Sequence, residues 1–294
     1  WFDVICRDAF SHNHNLSVSG GTSLLKYYAS FGYSRENGIL RKEYGDRYTA
    51  RVRLTANYKS LDLSFGITGN VQKKQYTPSE VGLLNYAYNT SRAVPVYNED
   101  GSLWYYPRQE SRFLVNYNVL NERDHSGQTI RGNGISLLTS VGYRLMKSLK
   151  VEAVFAYSRD DTDQRVHFGE KTAYMADLRG EMYNGKVRAI VPYGGELRKD
   201  DTQSNSYTLR GQLNYNRNMD RIGNHLLTAM LGGELNSVKY TGKKQYFWGD
   251  LSGHGKLVSC SLHTGSARDI KASNHEYGFR VRFAFLFYSK YVHF

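Results

Sequence analysis

From Tyr48 to Tyr58 the chain alternates with period two. Tyr48, Ala50, Val52, Leu54, Ala56 and Tyr58 fall on one side, and Arg47, Thr49, Arg51, Arg53, Thr55 and Asn57 on the other. That period belongs to a β-strand. Strands in water-soluble domains usually run about five or six residues, so this one is long. Ten steps at about 3.3 Å span about 33 Å. Tilted by about 45°, they project to roughly 24 Å, the height of the apolar band between the aromatic girdles of a membrane barrel. Tyrosines bracket the apolar side at both ends, where girdle residues belong.

The same pattern recurs along the chain. Further one-sided sets are Tyr27, Ala29, Phe31 and Tyr33; Leu61, Leu63, Phe65, Ile67 and Val71; Ile135, Leu137, Val141 and Tyr143; and Leu149, Val151, Phe155 and Tyr157. Tyr207, Leu209, Leu213 and Tyr215, then Leu227, Leu231 and Leu235, then Tyr277, Phe279, Val281, Phe283 and Phe285 complete the series. With "HNLSVSG" near the start, about nine strands are expected. Short turns are expected near 20–24, 59–60, 146–148 and 218–224, and long connections near 35–45, 73–131, 159–203 and 236–274. Short turns at one end and long loops at the other are the layout of outer-membrane barrels, with periplasmic turns and extracellular loops. The reading is all-β: an antiparallel transmembrane β-barrel segment. About nine strands, an odd number, do not close a bacterial single-chain barrel. Residues 1–294 are therefore read as part of one larger barrel domain, with the remaining strands absent.

Composition sharpens this picture. Among 294 residues, 25 are Tyr and only 4 are Pro. All four prolines fall outside the long alternating runs, as inner strands require. The formal charge is +12. A basic balance can indicate nucleic acid, an anionic surface or an acidic partner. Here the arginines alternate with bilayer-length apolar faces, which argues against nucleic acid and for membrane lipid. No apolar run reaches the length of a transmembrane helix. Cys6 and Cys260 show no metal or redox spacing and are read as two unrelated thiols.

Several stretches resemble the SusC/RagA class of TonB-dependent outer-membrane transporters. They are "HNHNLSVSGG" at 12–21, "YYASFGYSRENGIL" at 27–40, "NTSRAVPVYNEDGSL", "VPYGGEL", "YTLRGQLNY" and "LGGELNS". Their order and spacing, more than any one of them, carry the resemblance. It implies a barrel of about 22 strands with an N-terminal plug domain, a plug absent from residues 1–294. It also implies TonB acting through that plug, a SusD-like lipoprotein over the barrel mouth, and oligosaccharide or peptide cargo. A passive porin-like pore and an adhesive or structural surface barrel are the alternatives.

Chemistry is sparse. No catalytic, metal or phosphate-binding motif is present, so no enzyme, cofactor or metal is expected. His12 and His14 share a strand side but lack a third ligand. Asp160-Asp161 and Asp200-Asp201 are expected where strands meet loops. Two groups remain as candidates for function. Arg51, Arg53, Arg210, Arg280 and Arg282 are expected on lumen-facing sides, either paired with acids of the plug or steering anionic cargo. Trp104, Tyr105, Tyr106, Tyr193, Tyr246, Phe247 and Trp248 are expected in the outer loops. Aromatic rings there stack on sugars or peptides, contact a lid protein, or pack the loops themselves.

Overall fold

The computed structural model describes residues 1–110, 112–181, 184–186, 191, 193–219, 225–249 and 275–289, with backbone alone for 225 and 275–289. Among the described residues nine long strands form one antiparallel sheet: β1 (Ser11–Gly21), β2 (Leu25–Asn37), β3 (Tyr44–Tyr58), β4 (Leu61–Tyr76), β7 (Ser126–Met146), β8 (Leu149–Phe168), β9 (Gly195–Asn218), β10 (His225–Gly249) and β11 (His275–Ser289). Each pairs with the next in order. The ladders are continuous, with one irregularity between Arg144 and Met146. Uninterrupted pairing is what a wall in lipid needs, because lipid offers no partner to a stray N–H or carbonyl.

Register turns the period-two pattern into two surfaces. Val52 lies opposite Ala29 and Ile67, and Leu54 opposite Tyr27 and Phe65. On the other surface Arg51 lies opposite Ser30 and Thr68. The apolar surface is edged by tyrosines, with Tyr33 stacked on Tyr48 at 4.8 Å. Tyr157 lies opposite Tyr207. Leu61 has Tyr58 on one side and Tyr143 on the other at the opposite edge. The sheet does not bury these residues: Leu16, Phe31, Leu54, Phe65 and Ile135 are all exposed.

The buried core lies elsewhere, in a cap over the long-loop end of the sheet. Residues 77–125 carry a 3₁₀ turn (Ser79–Val81), α2 (Leu83–Asn89), the two-stranded β5 (Tyr106–Gln109) and β6 (Leu114–Tyr117), and α3 (Val119–His125). Beyond β8 follows α4 (Ala173–Arg179), and before β1 the short α1 (Phe2–Ile5). Ile5, Leu83, Tyr86, Val115, Val119, Leu120, Phe168 and Met175 of these segments pack into one cluster. A wall with its apolar residues outside and a cap with its apolar residues inside is what lipid below and water above select.

The short turns have local causes. Lys59 takes a left-handed φ of 52°, which lets two residues join β3 to β4. The Thr22 hydroxyl accepts the Leu24 and Leu25 amides, each at 3.2 Å, and closes the turn after β1.

Three sequence expectations need correction. The 35–45 connection is only the six residues 38–43, because β2 and β3 run to Asn37 and from Tyr44. Strands β8, β9 and β10 extend far past the apolar band, so Asp160-Asp161 and Asp200-Asp201 lie inside strands. Just above the belt, from Ser158 to Gln164 on β8, both surfaces are polar, so alternation fades while backbone pairing continues. Third, two of the long connections are folded rather than plain loops. The turn at 220–224, the 250–274 connection and Cys260 lie outside the described residues.

Candidate functional site: the polar wall and its aromatic cap

The polar surface of the wall carries Arg51, Arg53 and Arg210 on one side of the register. Arg53 lies opposite Tyr28 and Gly66. Arg210 lies opposite Val154 and Glu234. On β11, Arg280 pairs in register with Glu234 and Arg282 with Gly232. Arg210 finds its acid within the wall, 2.6 Å from Glu234. Arg51 and Arg53 form no ion pair among the described residues. Toward the short-turn end, Lys150 sits between Glu152 at 2.7 Å and Asp62 at 3.3 Å. This polar network went unnoticed in the sequence, although period two would have aligned its members.

The cap is fastened by carboxylates. Glu122 of α3 accepts the Ala173 amide at 2.8 Å and the Tyr174 amide at 3.4 Å, at the first turn of α4. Thr172 adds its hydroxyl to the Met175 amide at 3.2 Å, an N-cap bond. Asp177 of α4 answers by accepting the Arg112 and Phe113 amides at 3.0 and 3.2 Å. Burial pushes the Glu122 carboxyl above its ordinary range, and the Ala173, Asn121 and Tyr174 donors pull it back in part.

A second fastening ties the cap to the wall. Arg198 of β9 reaches Glu80 at 2.5 Å and the Tyr174 hydroxyl at 2.5 Å, and also pairs with Glu196. The Trp248 indole donates to Glu196 at 3.0 Å. Burial opposes ionisation of Glu80, but its own backbone amide and Arg198 hold its carboxyl below the ordinary range.

These contacts sort the seven aromatic candidates. Trp104 and Tyr106 stack at 5.4 Å. Tyr106 packs on the cap core and donates to the Tyr86 hydroxyl at 3.3 Å. Trp248 also packs on the core, with Tyr246 stacked on it at 6.1 Å. Phe247 is on the opposite strand surface, under the Lys199 ammonium at 5.4 Å. Tyr105, Tyr193 and Tyr246 are exposed, and the structure brings Tyr105 and Tyr193 together in one cleft of about 240 Å³.

Arg179 forms the floor of this cleft. It is 5% exposed, stacks under Tyr193 at 4.9 Å, and donates to the carbonyls of Gly194 and Glu170 and to Glu181. Val115, Lys171 and the acids Glu170 and Glu181 are also part of the lining. Two exposed rings flanking a buried, fixed guanidinium suit a ligand with flat apolar faces and polar edges. The sequence reading missed Arg179, because nothing in "DLRGEMY" marks that arginine as buried.

Comparison with known proteins gives the following. No family model matches the chain. It is 25% identical over 245 residues to the TonB-dependent receptor SusC of Bacteroides thetaiotaomicron, covering 80% of this chain and 23% of that protein. It is 24% identical over 245 residues to the TonB-dependent receptor P26 of Formosa agariphila, covering 81% of this chain and 22% of that protein. The fold superposes on the RagAB peptide importer with TM-scores of 0.68 in its open-open and 0.67 in its closed-closed state. Both superpositions cover 97% of this chain and 30% of the solved chain, at 16% identity. The chain thus spans under a quarter of the length of the curated relatives it matches.

Proposed function

We propose that this chain is a stretch of a SusC/RagA-type TonB-dependent transporter of the outer membrane, and that the whole protein imports oligosaccharides or peptides under TonB drive, with a SusD-like lipoprotein over its mouth. The apolar surface of the sheet meets lipid and the polar surface meets the lumen. The observation that carries this is the tyrosine-edged apolar band on a continuously paired sheet, topped by a folded cap. Arg51 and Arg53, which form no ion pair among the described residues, attract anionic cargo or acids of a plug domain. Tyr105 and Tyr193 offer the cap's stacking contacts to cargo or lid.

The test is uptake of labelled oligosaccharides and peptides by cells with and without the gene, in backgrounds with and without TonB. Import that needs both gene and TonB is the expected result. Import that persists without TonB would identify a passive pore instead.

A further inference from the structure

On the apolar surface, just beyond Tyr48 toward the cap, Lys73 of β4 lies directly opposite Arg131 of β7. Like charges facing each other across strands destabilise a sheet, so the wall gains nothing from this pair. The acids directly opposite them, Asp46 and Asp163, are engaged elsewhere. Asp46, opposite Lys73, accepts from Tyr33 at 3.0 Å and Arg35 at 3.3 Å. Asp163, opposite Arg131, is held by Arg165 at 2.8 Å. Neither Lys73 nor Arg131 forms an ion pair among the described residues, and both are exposed.

A groove of about 380 Å³ starts immediately below, toward the middle of the apolar band. Phe31, Tyr48, Ala50, Val71 and Ile135 line it, and Gly69 deepens it by having no side chain between Ala50 and Ile135. Arg159 at its rim is neutralised by Asp161 at 2.9 Å. An exposed cation pair therefore stands over an apolar channel, at the level where the apolar band gives way to polar wall.

We infer that this is a binding site for a phosphorylated glycolipid of the outer leaflet, its phosphate between Lys73 and Arg131 and one acyl chain along the Gly69 groove. The inference rests on the apolar surface facing lipid, as proposed above. Lys supplies a compact charge and Arg a fork suited to phosphate oxygens. The phosphate removes the repulsion between the two cations, and the acyl chain covers the groove.

The experiment uses the full-length transporter, purified in detergent and stripped of lipid, with native mass spectrometry as readout. The probes are lipid A bearing its phosphate, the same lipid after phosphatase treatment, and phosphatidylglycerol. Phosphorylated lipid A is expected to be retained over both others. Lys73→Gln with Arg131→Gln is expected to lower its retention about tenfold. Gly69→Leu is expected to lower it as well; a Cβ there meets nothing nearer than the Gly134 carbonyl at 4.0 Å, so the strand accepts the change. Equal retention of all three lipids, or unchanged retention by both variants, would overturn the site. Insertion into bilayers is scored separately, before lipid is added. Failure of the unmodified protein to insert would overturn the lipid-facing reading and the site with it.

Discussion

The Glu122 carboxylate accepts the Ala173 amide at 2.8 Å, joining two segments of the cap 51 residues apart. Through it the first turn of α4 is tied to α3, and the two long connections become one body. Glu122→Ala leaves the Ala173 and Tyr174 amides without this acceptor, which costs about 1–3 kcal/mol. Hydrogen exchange in 119–125 and 173–179 of the full-length protein is expected to accelerate together. Acceleration in one segment alone would contradict the coupling.

The same residue sets a pH dependence. Burial raises the folded-state pKa of Glu122 above its ordinary 4.5. A raised carboxyl stabilises the fold below its unfolded value and loses that contribution as pH rises through the folded one. Cap protection, corrected for intrinsic exchange, is therefore expected to fall from pH 4.5 toward neutral. Glu122→Gln flattens that fall. Protection that climbs over this range through Glu122 would contradict the sign.

Arg198 and Glu80 predict a different loss. Their contact is partly exposed, so a contribution of about 1 kcal/mol is expected rather than a decisive one. Arg198→Ala also removes the guanidinium from Glu196 and Tyr174, leaving Glu196 to Trp248 and Tyr174, and the cap is expected to loosen from β9 while α3 and α4 stay joined. Limited proteolysis should then cut around residues 77–82 with the barrel intact. Cleavage within 169–181 instead would reassign the fastening.

Aromatic substitutions are expected to separate by role. Tyr105→Ala with Tyr193→Ala removes two exposed rings, weakening cargo or lid binding by about 1 kcal/mol per ring with normal amounts of folded barrel. Trp104→Ala with Tyr106→Ala removes a stack that rests on the cap core, so it lowers cap stability first. Calorimetry with cargo and with purified lid, beside a protease assay, separates the two. Binding loss from the second pair at full cap stability would reverse the assignment.

Much of the wall was legible because burial in lipid imposes strict alternation. Tyr48 to Tyr58 shows its register to any reader who counts in twos. Legibility ended where the apolar band ends: in "SRDDTDQ" both surfaces are polar, so β8 continues on backbone pairing and charge pairs such as Arg159 with Asp161 without an apolar signature. The cap was hidden for another reason. Its core joins Ile5, Leu120 and Phe168, residues far apart in sequence, through helices of seven residues or fewer. Of the aromatic candidates, composition could not tell Tyr105, which is open, from its neighbours Trp104 and Tyr106, which are packed. Arg210 was found, but its partner Glu234 needed the β9–β10 register.

Leu54 and Arg53 carry the energetic side of the facing. In the full-length protein Leu54→Arg near the middle of the band is expected to cost about 2–4 kcal/mol in folding from denaturant into bilayers. Arg53→Leu is expected to cost much less. Equal costs would contradict two chemically distinct surfaces.

The most direct measurement is accessibility along β3. Single spin labels at 50 through 55 in the full-length transporter, reconstituted in bilayers, are scored by collision with oxygen and with a water-soluble nickel chelate. Labels at 50, 52 and 54 are expected to favour oxygen and those at 51, 53 and 55 the chelate, in strict alternation. Uniform accessibility, or the opposite phase, would contradict a wall with lipid on the Leu54 side and lumen on the Arg53 side.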